Sequence, residues 1–314
     1  MITRRRFLQG LGAFAGGSAL LGGYAFGVEP AWRLVVTTYR VRPAGWPPAL
    51  KLRIAVITDV HAGEPYMSAE RIAGIAARTN ALAPDLTVLL GDFSAGHRWI
   101  TRHVPAEAWA EALATLRAPL GVHTVLGNHD WWDDFEAQRT RKGPVFGRRV
   151  LERRGMPVYE NDAVRLMHKG QPFWLAGLAD QLALRIPRRL DIVDPVVVAG
   201  AGTRRRPQFI GVDDLPGTLA KVTDDAPVIL LAHEPDIFPA VPGRVALTLS
   251  GHTHGGQVRL LGYSPIVPSR YRNRYAYGHI VEGGRHLIVS GGLGCSFLPV
   301  RLGCPPEIVL VEVG

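Results

Sequence analysis

The chain has 314 residues, 47% hydrophobic and 20% charged, which excludes a disordered or low-complexity protein and leaves room for one large domain or two small ones. A net charge of +9 favours anionic surroundings, but the arginines are mostly scattered and no nucleic-acid module accompanies them. The charge therefore reads first as solvated surface, with phospholipid headgroups or cell-envelope polymers as anionic partners and no specific nucleic acid expected. Two cysteines, Cys295 and Cys304, are too few for a disulfide scaffold. They either pair or remain buried thiols.

At the amino terminus, Thr3-Arg4-Arg5-Arg6-Phe7-Leu8-Gln9 resembles a twin-arginine export signal. The uncharged, Gly- and Ala-rich run 11–26 behind it has the composition of a signal h-region and is just long enough to stay as a membrane anchor. Gly23-Tyr24-Ala25 offers a cleavage site after Ala25, so cleavage and retention both stand; either way the arginines stay cytoplasmic and the body lies in the periplasm or otherwise outside the membrane. The organisation expected is a signal or anchor at 1–30, a leader at 31–50 with an edge strand over 34–41, and a catalytic domain at 51–314.

From residue 52 strands and helices alternate. Ser68 is a fitting N-cap, with Ile72, Ile75, Ala76 and Leu82 on one face behind it, and Pro105 opens a second helix carrying Trp109, Leu113 and Leu116. The alternation predicts a parallel sheet flanked by helices. Beyond Asp162 short strands dominate, at 164–167, 173–176, 245–249, 258–260, 287–289 and 308–313, which predicts a second sheet packed on the first. Residues 181–212, with Val196 to Val198 and the Arg204, Arg205, Arg206 triplet, read as a surface excursion or lid.

Five apolar runs each end in a metal-capable side chain. The runs 52–57, 86–90, 123–126, 228–231 and 245–249 are followed by Asp59-Val60-His61, Gly91-Asp92, Gly127-Asn128-His129-Asp130, His233 and Gly251-His252-Thr253-His254. In α/β sheets ligands gather at the carboxyl ends of strands, so five such ends describe one site. Alternate residues project to one side, which lets Asp59 and His61 share an ion and brings His252 and His254 into the site together. Asp92 has two oxygens and can bridge two ions; Asn128 and His233 add an oxygen and a nitrogen. Mixed oxygen and nitrogen donors without thiolate favour two divalent ions of Mn, Fe or Zn. Two such ions about 3.5–4 Å apart clamp an in-line displacement at phosphorus and acidify the water between them.

The ordered set D-x-H, G-D, G-N-H-D, H and G-H-T-H-G-G-Q resembles the calcineurin-like metallophosphoesterase superfamily, and within it the exported YkuE-like phosphodiesterase branch, which shares a Gly-Leu-Gly…Pro-Pro-Glu-Ile ending, here Gly292-Leu293-Gly294 and Pro305-Pro306-Glu307-Ile308. The resemblance implies a four-layer α/β/β/α sandwich of two mixed sheets. It also implies that Asp59, His61 and His254 hold one metal, that Asn128, His233 and His252 hold the other, and that Asp92 bridges. His129 would act beside the phosphate as general acid or transition-state stabiliser, with Asp130 orienting its imidazole. Where many relatives carry a further acid after the bridging aspartate, this chain has Phe93-Ser94-Ala95-Gly96, and only Asp180 follows Gly177-Leu178, so the substrate class is left open.

The remaining histidines, His97, His103, His123, His168, His279 and His286, read as exposed surface. Trp131 and Trp132 either line the pocket or fill core. The segment Arg270 to Tyr275 either clamps a phosphate or is a solvated loop. The function expected is a dinuclear-metal phosphoesterase, a phosphodiesterase by resemblance. The alternatives are a UDP-2,3-diacylglucosamine-type pyrophosphate hydrolase on lipid precursors and a non-catalytic protein that binds an anionic polymer.

Overall fold

A computed structural model describes residues 3–97, 99–186 and 209–314. Arg98, Val196 to Val198 and the Arg204–206 triplet lie outside these residues. The strands are β1 (Val35–Val41), β2 (Leu52–Ile57), β3 (Leu86–Leu89), β4 (Val122–Thr124), β5 (Asp162–His168), β6 (Gln171–Gly177), β7 (Val228–Leu231), β8 (Val245–Ser250), β9 (Gly278–Glu282), β10 (Arg285–Val289) and β11 (Glu307–Val313). The first sheet runs β1-β11-β2-β3-β4 and the second β9-β10-β8-β7-β6-β5. Both are mixed. In the first only β11 against β2 is antiparallel, and in the second the two outer pairs are antiparallel while the four inner strands are parallel.

Inner strands with both faces covered bury every position, which is why β7 is an unbroken apolar run and β3 is broken only by the β-branched Thr87. Between the sheets, Leu52, Ile54, Val56, Val88, Val309 and Val311 of the first meet Phe173, Leu175, Ile229, Leu247 and Ile288 of the second. The outer face of the first sheet is covered by α2 (Ala69–Ala81), α3 (Ala106–Leu113) and, after two short helices α4 (Asn128–Trp132) and α5 (Phe135–Thr140), by α6 (Phe146–Arg153). The outer face of the second is covered by α7 (Leu215–Ala220), a 3-10 turn at Pro235–Ala240 and Tyr275. The result is the expected α/β/β/α sandwich.

Ser68 caps α2 by accepting from the Arg71 amide, as expected; Pro105 is the N-cap residue of α3 rather than its first turn. Residues 258–260 do not form a sheet strand; they make two isolated bridges, one to Leu302 and one closing a tight turn at Tyr263. The segment read as a leader belongs to the first sheet, because β1 pairs over its whole length with β11.

Ahead of β1 a single helix, α1, runs Arg4–Trp32 with a π-turn at Tyr24–Val28. Its first 20 residues bury nothing. Its last turns are built into the domain: Ala25 and Glu29 are buried, the Arg301 amide donates to the Ala25 carbonyl at 2.9 Å, and the Cys304 amide donates to Glu29 Oε1 at 2.9 Å.

Trp109 of α3 is buried and stacks on Phe93 with ring centroids 5.1 Å apart, so the packing of α3 fixes the loop that begins at Asp92. Trp109→Ala is expected to cost about 3–5 kcal/mol in denaturant unfolding, the range for an unrelaxed aromatic cavity. A loss below about 1 kcal/mol would show that this loop is held by something else.

Candidate metal centre

Each expected ligand stands just beyond a strand of the two inner edges that face one another. Asp59 and His61 follow β2, Asp92 follows β3, Asn128 opens α4 after β4, His233 follows β7, and His252 and His254 follow β8. All seven are buried. Backbone pairing continues past the strands, with Asp59 N to Gly91 O at 3.0 Å, His61 N to Asp92 O at 2.9 Å and Gly251 N to His233 O at 2.9 Å. These bonds hold the loops while the chain turns sharply. Asp59, His61, Asp92, His252 and His254 all take left-handed φ, from 44° to 67°. Non-glycine residues adopt that region at a cost of about 1–3 kcal/mol each, and such costs concentrate where side chains must converge.

They do converge. Asp59, His61 and His254 form one group and Asp92, His233 and His252 a second, each with donor atoms within 4.8 Å of one another. His61 Nε2 and His254 Nε2 are 3.1 Å apart, and His254 Nε2 is 3.4 Å from Asp59 Oδ1. Asp92 Oδ2 stands between the groups, 3.5 Å from His61 Nε2 and 3.3 Å from His233 Nε2. Asn128 Oδ1 is 2.8 Å from His252 Nδ1, which adds the neutral oxygen to the second group.

The donor set fits cations. His233 Nδ1 donates to the Leu90 carbonyl at 2.5 Å, so its Nε2 faces the Asp92 carboxylate with no hydrogen-bond partner of its own among the described residues. Two acceptors that close repel unless a proton or a cation lies between them. Burial works against a charged His233, yet Asp92 beside it raises its pKa well above the ordinary value. Burial would also raise Asp92, but His233, His129 and His61 hold it well below the carboxylate range. Burial pulls His61 down to about 3 and, with His61 and Arg301 nearby, drives His254 well below its usual value, so both rings keep a free lone pair. Burial pushes Asp59 up to about 7. A buried carboxylate keeps its charge when a bound cation supplies the opposite one.

The chain departs from expectation at Asp130. Its carboxylate does not orient the His129 ring; Oδ2 accepts from the Gly127 and Asp92 amides and Oδ1 from the Phe93 amide, each at 2.9 Å. Asp130 is the third residue of α4, where an acid closes back on the helix start, and here it also fastens the Asp92 loop. His129 Nδ1 is buried without a hydrogen-bond partner among the described residues. Its ring stands edge-on to His61 at 4.9 Å and leans on Trp132 at 5.1 Å.

The centre opens into a cleft of about 760 Å³ lined by Asp92, His129, His252, Glu234, Arg185 and Arg270, among others. The tryptophan pair divides: Trp131 packs in the core, whereas Trp132 walls the cleft, stacked on Phe209 at 4.8 Å with the Arg185 guanidinium 4.6 Å above its ring. Of the 270–275 segment only Arg270 reaches the cleft; Arg274 pairs with Glu282 and Tyr275 is buried. Asp180 is buried beside Glu234, and burial with that neighbour raises it well above the carboxylate range. His123 and His168 are not surface residues: both are buried, His123 between Tyr159 and the Leu120 carbonyl. Cys295 and Cys304 are free and buried.

Sequence reasoning missed Arg301. It is fully buried, donates to the carbonyls of Gly291, Gly294 and Cys304, and lies 3.3 Å from His254 Nδ1. Its carbonyl partners lie within ten residues in its own loop between the last two strands, and only the fold brings His254 beside it. Glu234, next to His233, carried a signal by position alone: it accepts from the Gln181 amide at 3.1 Å and shapes the cleft wall.

Gly127 is required by close approach: a Cβ there would strike Asp92 Oδ1 and the His233 ring, the latter at 2.7 Å. Gly127→Ala is expected to weaken divalent-metal binding at least about tenfold while the protein stays folded, as read by metal titration and circular dichroism. Unchanged affinity would mean that these side chains do not hold the metal.

The calcineurin-like phosphoesterase family matches residues 52–256. The uncharacterized metallophosphoesterase YkuE of Bacillus subtilis is 30% identical, over 98% of this chain and 96% of its own length. Phosphodiesterase YaeI of Escherichia coli is 28% identical over the full length of both. A transmembrane protein with metallophosphoesterase domain from Bos taurus is 28% identical over 87% of this chain and 55% of its own. With paired ligand groups that support a dinuclear centre, a sandwich of two mixed sheets and a family match across most of its body, this chain belongs to the calcineurin-like phosphoesterases and is a metallophosphoesterase.

Proposed function

We propose that the chain is a phosphodiesterase with a pair of Mn, Fe or Zn ions, working on the outer side of the membrane through which α1 carries it. Asp59, His61 and His254 would hold one ion, Asn128, His233 and His252 the other, with Asp92 between them. The observation that carries this is the shared Asp92 oxygen, 3.5 Å from one histidine group and 3.3 Å from the other, at the floor of an open cleft. Such ions supply Lewis acidity toward phosphoryl oxygens and a more acidic water.

The protein's own groups do the rest. His129, whose ring borders the cleft between His61 and Trp132, donates a proton to the departing ester oxygen. Asp130 acts as a positioning residue, since its three amide bonds hold the Asp92 loop and the start of α4 in register. Arg270, steadied by Asp236 at 3.2 Å, and Arg185 over Trp132 offer positive charge to the substrate's remaining anionic oxygens. The aromatic wall of Trp132 and Phe209 leaves room for a second ester substituent, which favours a diester. The name of the YaeI relative supports the same reading. For the location, the triple arginine at the head of α1 and its span-length apolar body support twin-arginine export with the helix retained.

The test is turnover by the full chain, with Mn or Zn added, of an aryl phosphodiester, an aryl phosphomonoester and a nucleotide-sugar pyrophosphate. Diester turnover is expected to dominate and to vanish in Asp92→Asn. His129→Ala is expected to lower kcat by about 10²–10⁴-fold with metal content unchanged. Pyrophosphate preference would move the chain to the lipid-precursor reading, and silence on all three substrates would leave an anionic-polymer binder.

A further inference from the structure

The end of α1 enters the domain beside the cleft, and the surface around that entry is apolar. The Arg301 amide bonds Ala25 of α1; just before it, Leu298 and Val300 give their carbonyls to the Gln257 side chain, at 2.8 Å each, and Leu302 exchanges backbone bonds with Gln257 and Arg259. Residues 257–263 therefore lie alongside 298–302, which lie alongside α1. Phe297 and Ser296, next in this strip, line the cleft itself. Leu260, Leu261, Tyr263, Ile266, Phe297 and Leu298 are all exposed, Ile266 at 78% and Phe297 at 68%.

Leu261 is the sharpest case. Leu260 and Tyr263 bond each other across a tight turn whose tip is Leu261-Gly262, both with left-handed φ (49° and 84°). Such tips favour asparagine and glycine. Here a leucine stands in the strained position and is fully exposed, at 108% of its reference area. It contributes nothing to the fold at that spot, and exposed apolar groups clustered this way mark a contact surface. The charge pattern says with what. From 257 to 275 the chain has four arginines and no acid, and residues 293–303 have no acid either; Arg270 and Arg274 are paired with Asp236 and Glu282, whereas Arg259 and Arg272 form no ion pair among the described residues. At 29 residues α1 is about 43 Å long at 1.5 Å per residue, more than a bilayer's hydrocarbon core, and it begins in three arginines.

We propose that the 257–268 turn and the 296–298 loop seat the cleft mouth on the anionic phospholipid surface that holds α1, and that the phosphodiester cleaved is one carried on a lipid headgroup in that surface. The proposal rests on the phosphodiesterase reading for its chemistry and on the surface alone for its orientation. The apolar tips enter the acyl boundary, Arg259 and Arg272 meet lipid phosphates, and a headgroup reaches the metal centre without leaving the bilayer.

The full chain is reconstituted in vesicles of phosphatidylglycerol and phosphatidylcholine and labelled with an environment-sensitive fluorophore at Leu261→Cys or Met167→Cys. Met167 is exposed on β5 at the end of the second sheet away from the cleft, and the two native cysteines are buried. A blue-shifted, lipid-quenchable emission is expected at 261 and an aqueous one at 167. The double variant Leu261→Asp, Ile266→Asp is expected to lose roughly tenfold of its turnover on vesicle phosphatidylglycerol, the effect of one buried leucine, while soluble aryl diester turnover stays within about twofold. Aqueous emission at 261, or equal loss on both substrates, would overturn the proposal. If the wild type turns over neither substrate, the phosphodiesterase reading and the lipid substrate fail together, while the emission at 261 still decides the orientation by itself.

Discussion

The carboxylate of Asp92 is the point on which the site depends. One oxygen accepts from the His129 amide at 2.8 Å and the other lies between His61 and His233, which come from different sheets. Its own amide is held by Asp130. A buried anion in that position would be costly by itself; surrounded by imidazoles and fastened by amides, it becomes a fixed charge around which two ligand groups can assemble. Moving it by even a fraction of an ångström would separate the two halves of the centre.

The sandwich exists in the form it does because it delivers those halves. Two sheets with parallel inner strands place several carboxyl ends side by side, and the left-handed turns at Asp59, His61, Asp92, His252 and His254 aim the side chains at one volume. The strain of those turns is offset by backbone pairing that runs on past the strand ends and by the apolar packing between the sheets. Arg301 and Glu29 tie the same region to the last turns of α1, so helix, site and cleft mouth share one set of contacts.

Much of this was legible in the sequence, for physical reasons. Strands buried on both faces leave unbroken β-branched runs, and a donor at the end of each run is visible without knowing where the strand lies. What stayed hidden depends on distance along the chain. The edge strand over 34–41 was legible but its partner, β11 at the far end of the chain, was not, and neither was the approach of Arg301 to His254. The helices α4 and α5 are too short to show a period, and β9 has no buried residue, so it carries no apolar run. Asp130 stands three residues after Gly127, where an acid caps the backbone at a helix start, so its local sequence points to the amides rather than to the His129 ring.

The measurement that tests the shared carboxylate most directly is electron paramagnetic resonance of the Mn-loaded full chain. Two ions sharing the Asp92 carboxylate would lie close enough for exchange coupling, so the spectrum is predicted to be that of a coupled pair and to collapse to isolated Mn in Asp92→Asn. A wild-type spectrum of isolated Mn at full loading would contradict the account, because the two ligand groups would then bind independently or only one would bind at all.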